Sequence, residues 1–398
     1  MYASTMLLAC VAALSTLFQV ASSITIPAPK PNGRNHVVAH ERSYLVEAGR
    51  DDQYNPGHDR KLAISLFLPV LESQCTQYCD HAYMPDKTAK VSNLQFFGHE
   101  GAGMFEPLTF KSCCASSSPI DTKDMRVIVL EPGAGTSRLM YTQLGRQLAS
   151  LDVAVVLIDH PGEASIVEFE QHVGVQAAES PTIANIQVTL DEFNINTRWD
   201  DVMLTALNTR RADIHFVLGH LYTPGSLQKI FPTFQFAGDA SLKADTIEMV
   251  GHGLGGTTST MMTVADQRFV WSINLSGTVL IPGMMQSTNA YSVFFGHEGH
   301  TRRKDENWMG AMKQKTFQGR ATEWTYKQAD VMDFSDLPLI KSLSEGSGKV
   351  KGTGANGVWA FHCTSCFVEA YVRDTLQSDS GQLTKCLRMC PNMRPSEV

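Results

Sequence analysis

The stretch Gly251-His252-Gly253-Leu254-Gly255-Gly256 has the form of a turn that presents a nucleophile, but it contains none. A strand-like run, residues 246–250, precedes it, and a helix-like run follows. The serine of a G-x-S-x-G motif stands in that context, its Oγ raised on a tight strand-to-helix turn. Here the middle residue is Gly253. The apex backbone of such a turn is strained, by about 1–3 kcal/mol for a residue with a side chain. Glycine adopts it at little cost because it has no Cβ. The substitution keeps the turn and removes the hydroxyl, so any covalent chemistry must come from another residue.

Few residues are placed to supply it. His252 precedes the apex and is expected to pack away from the site. His160, in Asp159-His160-Pro161-Gly162, follows a strand at the end of a sheet where ligands bind, and a structural hydrogen-bonding role is expected. His297 and His300 flank Glu298 in a spacing that could pair on a metal. No third ligand is apparent, so a surface turn is expected. Ser276 is not on an elbow and is expected to have no adjacent base. It completes Asn274-Leu275-Ser276, a glycosylation sequon at the end of a buried strand, where occupancy is not expected. Met261, Met262, Met284 and Met285 suit a lipid-accepting pocket or ordinary core equally well.

The elements that must hold these residues are legible as short apolar strands alternating with helices. Strands are expected at 61–71, 125–131, 153–158, 246–250, 271–275, 291–295 and 321–327. Helices are expected at 139–151, 199–221, 254–265, 306–316 and 367–376. The 139–151 helix should bury Leu139, Leu144, Leu148 and Leu151. Residues 163–197 read as a polar insertion over one end of the sheet. This alternation predicts an α/β fold, a mostly parallel central sheet with helices on both faces.

The chain has 398 residues, 43% hydrophobic, with a formal net charge of -7. That is enough to bury a large core. No dense Lys/Arg run points to nucleic acid or an anionic membrane. Residues 1–23 read as a secretory signal, with an apolar core from Met6 and small residues Ala21-Ser22-Ser23 at the cleavage site. No later segment is long and apolar enough to span a bilayer. Beyond the signal stand Cys75, Cys79, Cys113, Cys114, Cys363, Cys366, Cys386 and Cys390. The even count predicts disulfides that staple the two ends of the chain and spare the central sheet. Their connectivity is open. A redox or zinc role for Cys363-Thr364-Ser365-Cys366 has no supporting pattern. Residues 342–356 are Gly/Ser/Lys-rich and read as a linker. The expected organisation is a signal at 1–23, one domain at 24–341, and a linker with a Cys-containing tail at 342–398.

Several segments together resemble the fungal branch of platelet-activating-factor acetylhydrolase-like proteins, secreted lipase-type α/β-hydrolases. They include 131–138 (EPGAGTSR), 156–161 (VLIDHP), 166–169 (IVEF), 211–218 (RADIHFVL), the elbow itself, 273–278 (INLSGT), 295–302 (FGHEGHTR) and 334–339 (FSDLPL). The resemblance implies hydrolysis of short acyl esters by a Ser-His-Asp triad, without metal or other cofactor. It places the serine on Gly253, the aspartate on Ser276 and the histidine on Val331. None of the three substitutes can act as nucleophile, acid or base. The backbone donors of the oxyanion site fall on Ala134 and Leu254, positions that are also turns the fold needs for structure. The resulting expectation is a secreted pseudohydrolase that binds a small-molecule or lipid-like ligand. One alternative is a non-hydrolytic enzyme of fungal secondary metabolism, promoting cyclisation, elimination or rearrangement. Another is an active ester hydrolase with relocated catalytic residues.

Overall fold

The structure, a computed structural model, describes residues 23–28, 36–98, 103–169, 182–184, 201–243, 245–279, 290–343, 350, 352–377 and 381–397. The N-terminal part runs through β1 (Ile24–Ile26), β2 (His36–Asp51), β3 (Asp59–Leu71), β4 (Cys75–Ala82), α1 (Asp86–Phe97) and β5 (Leu108–Ser116). The middle holds β6 (Arg126–Glu131), α2 (Thr142–Ala149), β7 (Val153–Asp159), β8 (Ile166–Glu168), β9 (Thr182–Ala184), α3 (Asp201–Leu221) and α4 (Ser226–Ile230). Then come β10 (Ile247–His252), α5 (Leu254–Ala265), β11 (Phe269–Leu275), β12 (Tyr291–His297), α6 (Glu306–Met312), β13 (Ala321–Tyr326) and α7 (Leu337–Leu343). The tail forms α8 (Val358–Gln377), α9 (Gly381–Met389) and β14 (Met393–Pro395).

One sheet carries the fold, in the order β1-β5-β2-β3-β7-β6-β10-β11-β12-β13-β14, with β4 paired to β5. From β7 to β13 the neighbours are parallel, and β3 joins β7 antiparallel. This is the α/β-hydrolase arrangement. The central strands are apolar runs because both faces are covered. Within β6, Val127 and Val129 point to one core and Ile128 and Leu130 to the other. Residues of α2, α7 and α8 pack on the second face, and residues of α3, α4 and α5 on the first. Leu139, Leu144, Leu148 and Leu151 are all buried, as their spacing predicts.

α5 is rich in hydroxyl residues and buried along almost its whole length. Its side chains satisfy themselves on the preceding turn. Thr258 Oγ1 donates to the Leu254 carbonyl at 2.8 Å, and Ser259 Oγ to that of Gly255 at 2.8 Å.

The eight cysteines form Cys75–Cys113, Cys79–Cys114, Cys363–Cys390 and Cys366–Cys386. The first two tie β4 to β5 at the sheet's N-terminal edge, and the last two tie α8 to α9 and to the residue just after it. The tail is built into the main core. β14 pairs with β13, and Cys363, Phe367, Val368 and Met393 share the cluster of Val250 and Ile273. Of the expected insertion, residues 163–169 are buried against the fold rather than laid over it. Most of the rest lies outside the described residues, as do Met284, Met285 and all but the last residue of the expected signal at 1–23. Met261 and Met262 are core. Among the described residues no helix is long and apolar enough to cross a membrane.

Candidate active site

The elbow is present in full. β10 ends at His252, Gly253 caps α5, and its backbone lies at φ 53°, ψ −121°. Around it the glycines differ in what a side chain would meet. At Gly251 a Cβ would strike the Gly255 carbonyl, and at Gly255 the Pro132 carbonyl at 2.6 Å. At Gly253 the nearest atom would be Gly133 Cα, at 3.8 Å. So two glycines exist for close backbone approach, while the apex has room for a side chain and carries none.

Gly133 belongs to the loop after β6, which faces the apex. Tyr141 ties loop to elbow. Its hydroxyl accepts from Gly133 N at 3.1 Å and lies 2.6 Å from His252 Nδ1. The same loop is pinned by Arg210 Nη1 donating to the Pro132 carbonyl at 2.7 Å, and by Gly135 N donating to the Glu163 carbonyl at 2.7 Å. Ala134 and Leu254 are thereby held on two sides of the apex, both buried. Leu254 N, in the first turn of α5, is one of the amides a helix leaves without an internal acceptor.

Beneath this loop lies a buried ionic cluster. His160 bridges Glu131 and Asp213, each at 2.8 Å. Burial alone would pull the imidazole pKa down. The Glu131 charge and the two carboxylate hydrogen bonds outweigh it and raise the pKa to about 9. Arg60 donates to Asp213 at 2.7 Å and Arg210 to Glu163 at 2.6 Å. His160 is thus a charged structural bridge under the site, the hydrogen-bonding role its turn suggested.

Gly253, Ser276 and Val331, the positions that the resemblance assigns to a triad, are brought together around the elbow. Gly253 N donates to the Leu275 carbonyl at 2.9 Å, which sets Ser276 beside the apex. Val331, at the start of a short 3-10 turn, meets His252 through its backbone, which hydrogen-bonds the imidazole. Ser276 corrects one expectation. It does have a base: its Oγ is 3.1 Å from His300 Nδ1, and His300 Nε2 is 2.7 Å from Asp305 Oδ2. The backbone at Ser276 is also left-handed, φ 60°. This Ser-His-Asp chain is sealed, however, with Ser276 and His300 both 0% exposed and Trp308 against the His300 ring. A nucleophile needs access as well as a base.

The surface turn expected at His297 and His300 is likewise overturned, since both are buried. The turn folds inward because His300 finds Ser276 and Asp305, and Trp308 closes over it. Among the described residues no cluster of His, Cys, Asp or Glu is arranged to hold a metal. Two further features have no local signature among the residues that carry them. His297 Nε2 is buried without a hydrogen-bonding partner, and the His252 and His297 rings both lean on Phe334. Burial holds both imidazoles neutral, His252 down to about 3 and His297 to about 4. Asn274 is committed internally, donating to Thr260 Oγ1 at 3.1 Å and accepting from Gly277 N at 2.6 Å. No glycan acceptor is free there.

Residues 49–343 match the family model described as platelet-activating factor acetylhydrolase, isoform II. The chain belongs to this family. It is similar to a probable 1-alkyl-2-acetylglycerophosphocholine esterase of Arthroderma benhamiae, 24% identical over 383 residues, which cover 90% of each chain. Among solved structures it resembles a ferulic acid esterase from Streptomyces cinnamoneus, with a TM-score of 0.67 at 23% identity. That match covers 94% of this chain and all of the other. The isoform II family thus places the chain among esterase-like α/β-hydrolases, whose lipid-esterase relative extends over nearly its full length.

Proposed function

We propose that this chain is a secreted, catalytically silent member of its family. It would bind an acyl or lipid-like small molecule at the elbow without cleaving it. One observation carries the reading: the apex keeps the strained backbone and the open space of a nucleophile site, and the residue there is Gly253. The other two substitutions agree with it, since Ser276 is turned inward to His300 and Val331 has no proton to move. In this reading the backbone amides of Ala134 and Leu254 remain as donors for a ligand carbonyl. A site stripped of its triad but keeping such donors retains only about 10³–10⁴-fold acceleration over water. The lipid esterase relative suggests an alkyl or acyl glycerol ester as the ligand class. Secretion is supported by the four disulfides, which suit an oxidising compartment. The proposed organisation is a signal at 1–23, a hydrolase domain at 24–341 and a tail at 342–398, with the tail folded onto the domain.

A second reading rests on His252 and His297. The neutral His297 imidazole, whose Nε2 has no partner, would polarise a carbonyl, with the neutral His252 ring also against Phe334. That suits a non-hydrolytic rearrangement or elimination, which needs no nucleophile. A relocated esterase centred on Ser276 is disfavoured by its burial. A fluorophosphonate probe tests the silent reading: the protein should remain unlabelled, and stoichiometric attachment at one hydroxyl would overturn it.

A further inference from the structure

The tail builds a cavity that shares no lining residue with the elbow. It has a volume of about 730 Å³, within the range that holds a small-molecule ligand. Its walls come from α2, α7, α8 and α9, with Pro27 and Ala28 beyond β1. Most of these residues lie after 343, where the family match ends. The two tail disulfides hold α8 and α9 together around it.

The lining is mainly hydrocarbon, from Leu339, Trp359, Phe361 and Met389. At the mouth Trp359 is 59% exposed and Met389 43%, which is unusual for side chains of their size in a single chain. One polar group stands apart. Gln143 is 3% exposed and lines the cavity, and its Nε2 has no hydrogen-bonding partner. Arg146, which can only donate, gives its Nη1 proton to Gln143 Oε1 at 2.6 Å. That bond fixes the amide with its N–H2 side unspent. The carboxylate of Glu369, also in the wall, is already engaged by Gln147 Nε2 at 2.8 Å and Arg373 Nε at 2.7 Å.

We propose that this cavity is a second ligand site, taking a neutral molecule with a long apolar body and one oxygen acceptor. A long-chain alcohol, ketone or ester fits that description. The oxygen accepts from Gln143 Nε2, and the chain lies along Trp359 and Phe361. The pairing selects against two other classes. A pure hydrocarbon leaves the buried amide donor unsatisfied. A carboxylate placed at Gln143 would bury its charge beside one neutral donor and the Glu369 carboxylate, while the cationic Lys385 lies out at the exposed mouth, so burying the acid end is costly. The site is independent of the elbow and of its catalytic status.

The test uses the full oxidised protein titrated with 1-decanol and with decanoate at pH 8, read by tryptophan fluorescence and calorimetry. Saturable one-to-one binding of 1-decanol is expected, with decanoate at least tenfold weaker. Gln143→Leu removes the donor and should weaken 1-decanol roughly three- to tenfold, the usual effect of one neutral hydrogen bond. Because Gln143→Leu also strips a partner from Arg146, Ser365→Phe is the second variant. It fills the cavity from α8 and should abolish binding while the melting temperature stays within a few degrees. The proposal is overturned if wild type binds no 1-decanol, if decanoate binds as well, or if a folded Ser365→Phe binds as tightly as wild type.

Discussion

Replacing the elbow glycines one at a time by alanine should separate two kinds of glycine. At Gly253 the added methyl meets nothing closer than Gly133 Cα at 3.8 Å, so no clash arises. Its cost is conformational, because φ 53° with ψ −121° is nearly closed to residues with a Cβ. Such strain is worth about 1–3 kcal/mol. At Gly255 the methyl would sit 2.6 Å from the Pro132 carbonyl, and at Gly251 it would strike the Gly255 carbonyl. Both contacts are with backbone, so the loop after β6 or the start of α5 must move. Overpacking of that kind adds about 1–3 kcal/mol or more. Urea unfolding monitored by circular dichroism should therefore rank Gly253→Ala as the mildest, with a fall of about 1–3 kcal/mol, a five- to 150-fold change in the folded ratio. Gly251→Ala and Gly255→Ala should lose clearly more or fail to fold. If Gly253→Ala costs as much as Gly255→Ala, the apex is not open. If it costs nothing, the apex is not strained, and the comparison with a nucleophile turn fails.

Three further outcomes follow. Gly253→Ser alone should not hydrolyse p-nitrophenyl acetate, whereas Gly253→Ser with Ser276→Asp and Val331→His should exceed it by about a hundredfold, because triad members act as a unit; a folded triple variant no better than wild type would show that the site has drifted beyond the triad. His160 has a folded pKa of about 9 against its ordinary value of 6.5, so its contribution is whole below pH 6.5 and is lost as pH rises through 9. The loss is on the order of 3 kcal/mol, and unfolding free energies of wild type and His160→Gln between pH 6 and 10 should converge at the alkaline end; parallel curves would remove His160 as the titrating bridge. Thiol counting under denaturing, non-reducing conditions should find no free cysteine, in keeping with the four disulfides, and two or more free thiols would contradict an oxidised chain.

The centre of the fold was legible because buried parallel strands are apolar runs punctuated by glycine and proline. β6, β7, β10 and α5 fall within two residues of their expected bounds. The periphery was not. β2 mixes charged and apolar residues because it lies toward the edge of the sheet, and α1 has little amphipathic signal. α8 starts at Val358 rather than 367, since Cys363 and Cys366 look like loop staples yet sit inside a helix facing α9. The helix expected over 306–316 ends at Met312.

In the site, Gly253 was visible because the motif is local. The link from Ser276 to His300 and Asp305 was not, because it joins the end of β11 to a turn beyond β12. Local spacing carries no information about that contact. Tyr141 was missed as the tie between loop and elbow for the same reason, lying 111 residues from His252.

The measurement that bears most directly on the silent elbow is labelling of the purified protein with a fluorophosphonate, followed by peptide mapping. With Gly253 at the apex and Ser276 sealed beneath it, intact mass should show no adduct under conditions that fully label an active esterase of this family. A stoichiometric adduct on Ser276, or on any other single hydroxyl, would contradict the claim and establish a working nucleophile in its place.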